Sequence, residues 1–301
     1  MKVIRAPLRI SLFGGGTDLE PFCTEHGSTI VSFAINRYMY LAWNDRPTGG
    51  CRVSYSQVEE LDHLGNARHT LVRNTALAHD VAEPCTLTIT SDLPKGTGLG
   101  GSSALAVALV KLAQPDLAGK ELVHRAGLVE RITSRAGWQD YLPAVFGGFN
   151  VYRIDGAKLS RDTVRAINEG ITITPTLSRA EVIINRYGLL LYTGAAREAD
   201  NVLGSWQKST AQLADIKALA DRVAGRVGAM MPTELAQCLD ETWELKRRIS
   251  GVSDSPLDWQ YNTAMSHGAL GGKLCGAGAG GCWFFLVPPE RKRRVRRALG
   301  L

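Results

Sequence analysis

The segment Pro94–Ala104, PKGTGLGGSSA, constrains this chain more than any other stretch of it. Gly96, Gly98, Gly100 and Gly101 carry no Cβ, so backbone N–H groups there can close on an anion. Cys85 to Thr90 leads into it as a half-buried strand, with Cys85, Leu87 and Ile89 alternating with three threonines. An apolar stretch with helical character, Ser102 to Ala113, leads out. A helix starting at Ser102 and Ser103 turns its unpaired amides and the positive end of its dipole toward phosphate. A serine hydroxyl there caps the helix or ligates magnesium. Taken alone, the loop establishes an anion site at a helix start and no more.

The type of phosphate loop is narrower than that. A Walker A loop needs GxxxxGK[ST], which the chain lacks. GxGxxG occurs at Gly96–Gly101 and again at Gly276–Gly281, so the match is cheap. A dinucleotide fold also needs an acid about 20 residues on, at a strand end. Glu121 has that distance but begins a helical stretch after Pro115-Asp116. The dinucleotide reading is weak.

Composition removes other classes. A chain of 301 residues suggests two packed domains, and 45% hydrophobic with 21% charged residues is ordinary for a soluble globular protein. The apolar runs, such as Cys282 to Val287, are far short of a membrane span, and MKVIRAPLRISLF has no apolar leader core, so a cytoplasmic protein is expected. Six scattered cysteines without a CxxC pair read as free thiols, and six dispersed histidines form no ligand spacing. The net charge of +6 does not indicate nucleic acid. Residues 290–301 carry six basic residues against one acid, which accounts for most of the excess, and a basic terminal helix is an ordinary solvated face.

Along the chain, Lys2 to Phe13 reads as two short strands or one bent at Pro7, ending in the turn Gly14-Gly15-Gly16-Thr17-Asp18. Ser28 to Trp43 is β-rich. Helices are predicted from Lys120 to Arg135, from Ala199 to about Met230, and over Leu235 to Ile249. Strands are predicted at Gly188–Thr193 and Trp283–Val287. The stripe Leu235, Leu239, Thr242, Trp243, Lys246, Ile249 needs nothing beyond core packing to explain it. Strands and helices mix without regular alternation, so the class is α+β.

The loop, in company, resembles the GHMP kinases, whose phosphate motif is approximately P-x-x-x-G-L-G-S-S-A. Pro94, Gly98, Leu99, Gly100, Ser102 and Ala104 match, with Gly101 where the first serine normally stands. Arg5–Ser11 followed by Gly14–Asp18 resembles the N-terminal substrate motif, and Lys273–Cys282 the C-terminal glycine loop. RAPLRISLFGGGTD and WQDYLPAVFGGFN are most similar to the heptose 7-phosphate kinases and their fucokinase-like relatives, which phosphorylate an anomeric hydroxyl. The resemblance implies a two-domain fold. An N-terminal domain like ribosomal protein S5 domain 2 (1–155) would hold ATP, and a ferredoxin-like C-terminal domain (156–301) would complete the substrate cleft.

It also implies roles. Lys95, Gly96, Thr97, Gly98, Leu99, Gly100, Gly101, Ser102 and Ser103 would cradle the nucleotide, with Ser102 and Glu130 on magnesium. Glu130 flanks an apolar helix face and stands ten residues before Asp140, the residue expected to face the acceptor hydroxyl. Arg9 would pair with Asp140, and an adjacent cation keeps a carboxylate ionised, which suits positioning with late proton acceptance. Gly15, Gly16, Thr17, Asp18 and Gly148 would meet the sugar, and Arg197 a substrate phosphate. Asp18 has a bland alternative, since aspartate in a glycine turn often satisfies its own backbone. The expected partner is a small sugar or sugar phosphate, with no nucleic acid or membrane; a homodimer is compatible with the sequence. Other small alcohols (fucose, galactose, inositol) stay open as acceptors, as does a non-catalytic regulator of the same fold.

Overall fold

The computed structural model describes residues 1–159, 164–176, 179–195, 204–206 and 209–300. Two sheets organise it. The first has seven strands: β1 (Lys2–Phe13), β2 (Ser28–Asp45), β3 (Cys51–Ser54), β4 (Val58–Leu61), β5 (Cys85–Ser91), β6 (Phe149–Ile154) and β7 (Ile171–Pro175), in the order β4-β3-β5-β2-β6-β7 with β1 against β2. β2 is 18 residues long and pairs with β6 at its start, β5 at its end and β1 along most of its length. β1 is the single bent strand that Pro7 allows, its register shifting between Pro7 and Arg9 and again between Ser11 and Phe13. Proline donates no ladder hydrogen bond, which favours a bulge there. Because β7 pairs with β6, this sheet runs past residue 155, where the sequence divides the halves, to Pro175. The second sheet is β8 (Gly188–Tyr192), β10 (Cys282–Leu286) and β9 (Gly271–Leu274) in that order, all antiparallel.

Eight helices matter to the site and its frame: α1 (Thr70–Ala78), α2 (Gly101–Ala113), α3 (Gly119–Arg131), α4 (Trp138–Phe146), α5 (Thr210–Ala224), α6 (Pro232–Lys246), α7 (Ser255–Ser266) and α8 (Lys292–Ala298). α2 is buried on every side from Ser103 to Val110, as an all-apolar helix must be. Each large apolar side chain it buries, such as Leu105 or Leu109, contributes about 1.5–3 kcal/mol. α2 therefore sits fixed in the core, and its first turn is a rigid platform.

Two helix predictions need correction. Lys120–Arg135 ends early, at Arg131, where the Thr133 N–H donates to the Glu130 carbonyl three residues back at 3.0 Å in a tightened closing turn. The long helix from Ala199 does not form as one piece. Gly204–Trp206 is helical, the Ser209 backbone leaves helical geometry at φ −110 and ψ 47, and α5 runs from Thr210 to Ala224. Residues 199–203, 207 and 208 lie outside the described residues. No helix among the described residues is long and apolar enough to cross a membrane. All six cysteines are free thiols.

Candidate active site

The phosphate loop stands where β5 ends and α2 begins. Gly96, Gly98 and Gly100 all have positive φ, and Gly100 is the N-cap of α2 without any side-chain cap. The first backbone bond into the helix comes from the Ala104 N–H to the Gly100 carbonyl at 2.9 Å. The amides of Gly101, Ser102 and Ser103 precede it and are the unpaired donors every helix start carries. Neither serine caps the helix, which separates the two uses that the sequence allows for a hydroxyl here. Ser102 is exposed. Ser103 is buried and donates to Glu130 Oε2 at 2.7 Å. Lys95 is exposed at the loop's outer edge, and Thr97 and Leu99 are buried beneath it.

Glu130 is 1% exposed, near the C-terminal end of α3. Burial pushes its pKa up, the Ser102 and Ser103 hydroxyls pull it back, and the nearby Asp140 charge pushes it up again. No basic side chain forms an ion pair with it among the described residues. A buried carboxylate partnered by hydroxyls and facing a second carboxylate is a fit for a hard cation, because oxygen donors and net negative charge are what magnesium takes. The glycine cradle and open helix start fit the phosphates of a nucleotide in the same way.

Arg9 and Asp140 meet across 131 residues. Arg9 Nε donates to Asp140 Oδ1 at 2.8 Å, Nη2 donates to the same oxygen, and Nη1 donates to the Gly98 carbonyl at 2.7 Å. One guanidinium thus ties the carboxylate to the phosphate loop. A Cβ on Gly100 would come within 3.2 Å of Arg9 Cγ and 3.4 Å of Asp140 Oδ1, so the loop backbone lies directly on this pair. Glycine is needed there for both its φ and its bareness.

The Gly14–Asp18 turn approaches from the other side. Asp18 is 2% exposed; it accepts from the N–H groups of Gly16 (3.1 Å) and Gln139 (2.9 Å) and from Gln139 Nε2 (3.1 Å). It lies so close to Gly137 that a Cβ there would be 2.0 Å from Oδ2. Asp18 is therefore the anion at the start of α4, where the amide ends welcome it. Burial is the main force raising its pKa, the Gln139 amide opposes this, Asp140 adds to it, and the result is about 6. The bland reading of Asp18 is thus partly realised, and roughly one of its four acceptor positions is left for another donor. Thr17 is turned inward, its hydroxyl donating to the Gly14 carbonyl at 2.7 Å and lying 2.6 Å from Ser28 Oγ. Gly15 faces Gln139 and Ser11, and Gly16 lies under the Trp206 ring.

One expected residue does not join this group, and the position of another is not described. Gly148 is exposed; its carbonyl accepts from Ala34 N–H at 2.9 Å, and its backbone bends at φ +60 with no contact to Asp18 or Asp140. Arg197 lies outside the described residues. Two residues that the sequence does not single out do join it. Lys246 and Lys273, 2% and 4% exposed, stand beside Arg9 around the second glycine loop. Lys246 was the one cation inside an apolar helical stripe, and that mismatch was the available signal.

Comparison with known proteins agrees with this arrangement. The family model for the GHMP kinases N terminal domain matches residues 66–148, and that for the GHMP kinases C terminal matches residues 216–300. The chain is 31% identical to a D-glycero-alpha-D-manno-heptose 7-phosphate kinase of Campylobacter jejuni, over 99% of this chain and 94% of that protein. It is 22% identical to an L-fucokinase/L-fucose-1-P guanylyltransferase of Bacteroides fragilis, over 98% of this chain but 35% of that longer protein. A crystal structure of a D-glycero-D-manno-heptose 1-phosphate kinase from Bacteroides thetaiotaomicron superposes with a TM-score of 0.76 at 24% identity, covering 99% of this chain and 92% of that one. The chain belongs to the GHMP kinase family and is a phosphotransferase with an alcohol group as acceptor.

Proposed function

We propose that this enzyme is a sugar kinase that uses ATP and magnesium to phosphorylate the anomeric hydroxyl of D-glycero-D-manno-heptose 7-phosphate. The observation that carries the reading is the Arg9–Asp140 pair held against Gly98 and Gly100 at the open start of α2. Resemblance to the Campylobacter heptose 7-phosphate kinase across nearly the whole chain supports the acceptor.

The loop amides from Gly96 to Ser103 bind the nucleotide phosphates, with Lys95 at the rim. Ser102 and Glu130 would hold magnesium, which would supply charge neutralisation at the phosphate oxygens. Ser103 positions Glu130 through its 2.7 Å hydrogen bond. Asp140 orients the acceptor hydroxyl and takes its proton as the new oxygen–phosphorus bond forms. The bond from the γ-phosphorus to the β,γ-bridging oxygen breaks, and ADP leaves with that oxygen. Arg9 keeps Asp140 turned toward the loop and offers positive charge where the transferred group passes. Gly15, Gly16 and the free acceptor position of Asp18 bind sugar hydroxyls, and the C-terminal half closes the cleft.

The test is ADP release with ATP and magnesium across sugars and sugar phosphates, for the native chain and Asp140→Asn. Turnover should be greatest with the heptose 7-phosphate. The variant should lose about 10³-fold in kcat while ATP binding by titration calorimetry changes little. Near-native turnover by Asp140→Asn rejects the mechanism.

A further inference from the structure

Behind the Gly14–Asp18 turn lies a small cavity lined by Ser11, Gly15, Gln139, Trp206, Lys246 and Lys273, among others. Its charge is unusual. Lys246 Nζ donates to the carbonyls of Leu274 (2.7 Å) and Gly276 (2.6 Å), and Lys273 Nζ to those of Ser11 (2.9 Å) and Leu12 (3.0 Å). Neither ammonium pairs with a carboxylate among the described residues, and Arg9 next to them is already taken by Asp140. Two buried cations that lean only on carbonyl dipoles are poorly compensated. Burial draws Lys246 well below the usual lysine range and Lys273 to about 8, and each feels the other cations nearby.

A second observation points the same way. Ser11 is 3% exposed, and its hydroxyl has no hydrogen-bond partner among the described residues. It lies beside Gly15, 3.3 Å from where a Cβ there would stand. A buried hydroxyl left unpaired next to two buried ammonium groups is a donor set awaiting an acceptor, and the acceptor with the matching charge is an anion. Through Gln139, which donates to Asp18, the cavity also adjoins the Gly14–Asp18 turn.

We infer that Lys246, Lys273 and Ser11 form a subsite for a phosphate monoester carried by the acceptor, and that Trp206 covers it. This rests on the kinase reading above. As the indole stands, the cavity is about 10 Å³, room for one water. The Trp206 ring rests on Gly16, where a Cβ would lie 2.2 Å from it, and its Nε1 donates to the Ala277 carbonyl at 3.0 Å. Lys246 Nζ lies 5.7 Å from the ring centroid. Admission of a phosphate requires the indole to leave Ala277, and the anion then takes its place beside Lys246. Lys246 and Lys273 thereby set specificity; the transfer chemistry remains with Asp140.

The experiment compares kcat/KM for the heptose 7-phosphate and for the unphosphorylated heptose, in the native chain, Lys246→Met and Lys246→Gln. The native ratio should favour the phosphorylated acceptor, and both variants should reduce that ratio by about 30- to 100-fold, the worth of a charge-assisted hydrogen bond. An unchanged ratio overturns the subsite. Should neither variant fold, the native enzyme decides it: a hexitol 6-phosphate must inhibit competitively against the acceptor at least 30-fold better than the hexitol, and equal inhibition overturns the proposal. Turnover of sugars without regard to phosphate sinks this inference, and the phosphorylated acceptor with it, but leaves the sugar kinase standing. No turnover of any sugar sinks the kinase reading beneath it.

Discussion

The two glycine loops share a string and do different work. Gly96–Gly101 runs from a strand into the buried helix α2, so its amides end at a helix start and its backbone lies on Arg9 and Asp140. Gly276–Gly281 runs from β9 into β10, with no helix following. Its glycines are needed because the first loop lies against them. A Cβ on Gly276 would stand 2.6 Å from the Gly98 Cα, and one on Gly281 2.6 Å from the Thr97 carbonyl oxygen. The first loop is bare where Cys275 and the Arg9–Asp140 pair lie against it and leads into an open helix start; the second is bare to admit the first. Spacing of glycines is therefore silent about phosphate until the element that follows is known.

The contrast can be broken at its strongest point by Gly276→Ala. This puts an L side chain at φ +66 and into backbone, so unfolding in denaturant should show about 4 kcal/mol lost, from strain and overpacking together. A loss below 1 kcal/mol would mean that the second loop is not a packing device. Glu130→Gln addresses the first loop. Turnover should fall about 100-fold with a rise in the magnesium needed for half-maximal rate. Melting temperature at pH 7 should nevertheless hold or rise, since burial penalises the charged carboxylate that the amide replaces. Joint loss of stability and activity would make Glu130 a structural partner of Ser103 only.

Smaller effects sharpen the picture at the sugar side. Asp18 has a folded pKa of about 6 against a usual 3.8. Between those values the unfolded chain has already released its proton while the native chain keeps it, so stability declines as pH rises from about 4 to 6. Acceptor binding that needs the carboxylate should instead fall about tenfold per pH unit below 6, and Asp18→Asn should abolish that limb of the kcat/KM profile. A profile unmoved by the substitution would leave Asp18 as a helix anchor alone. The smallest effect is expected from Gly101→Ala. Its Cβ would meet only Met39 Cε at 3.8 Å and Leu8 Cδ2 at 4.0 Å, so stability should change by less than about 1 kcal/mol. A large change would show that Gly101, in the place of the usual serine, is itself under steric constraint.

Much of this site was legible before any coordinates. The strand, glycine turn and apolar helix around Pro94–Ala104 are local signals, and they formed as spaced. The Arg9–Asp140 pair was legible only through resemblance, because nothing local links residues 131 positions apart. Ser103 was harder. Both serines stand in the first turn of α2, and only the direction of the core decides that Ser103 turns inward to Glu130 while Ser102 stays exposed. Lys246 was hidden by periodicity, since a helical stripe reads as core, and a lysine in it reads as an edge residue extending its stem to water. Trp206 was lost inside one long predicted helix, because the non-helical backbone at Ser209 leaves no mark in local propensity.

The Lys273 ammonium on the Ser11 and Leu12 carbonyls joins positions 262 and 261 residues apart. During synthesis the first sheet can pair while that lysine is still unmade, so the bend carrying the sugar turn waits on one of the last segments to be translated. Chains cut short before β9 would lack both that anchor and the second glycine loop against which Gly98 and Thr97 pack. The frame around Arg9 and Asp140 is therefore finished only when nearly the whole polypeptide has been made.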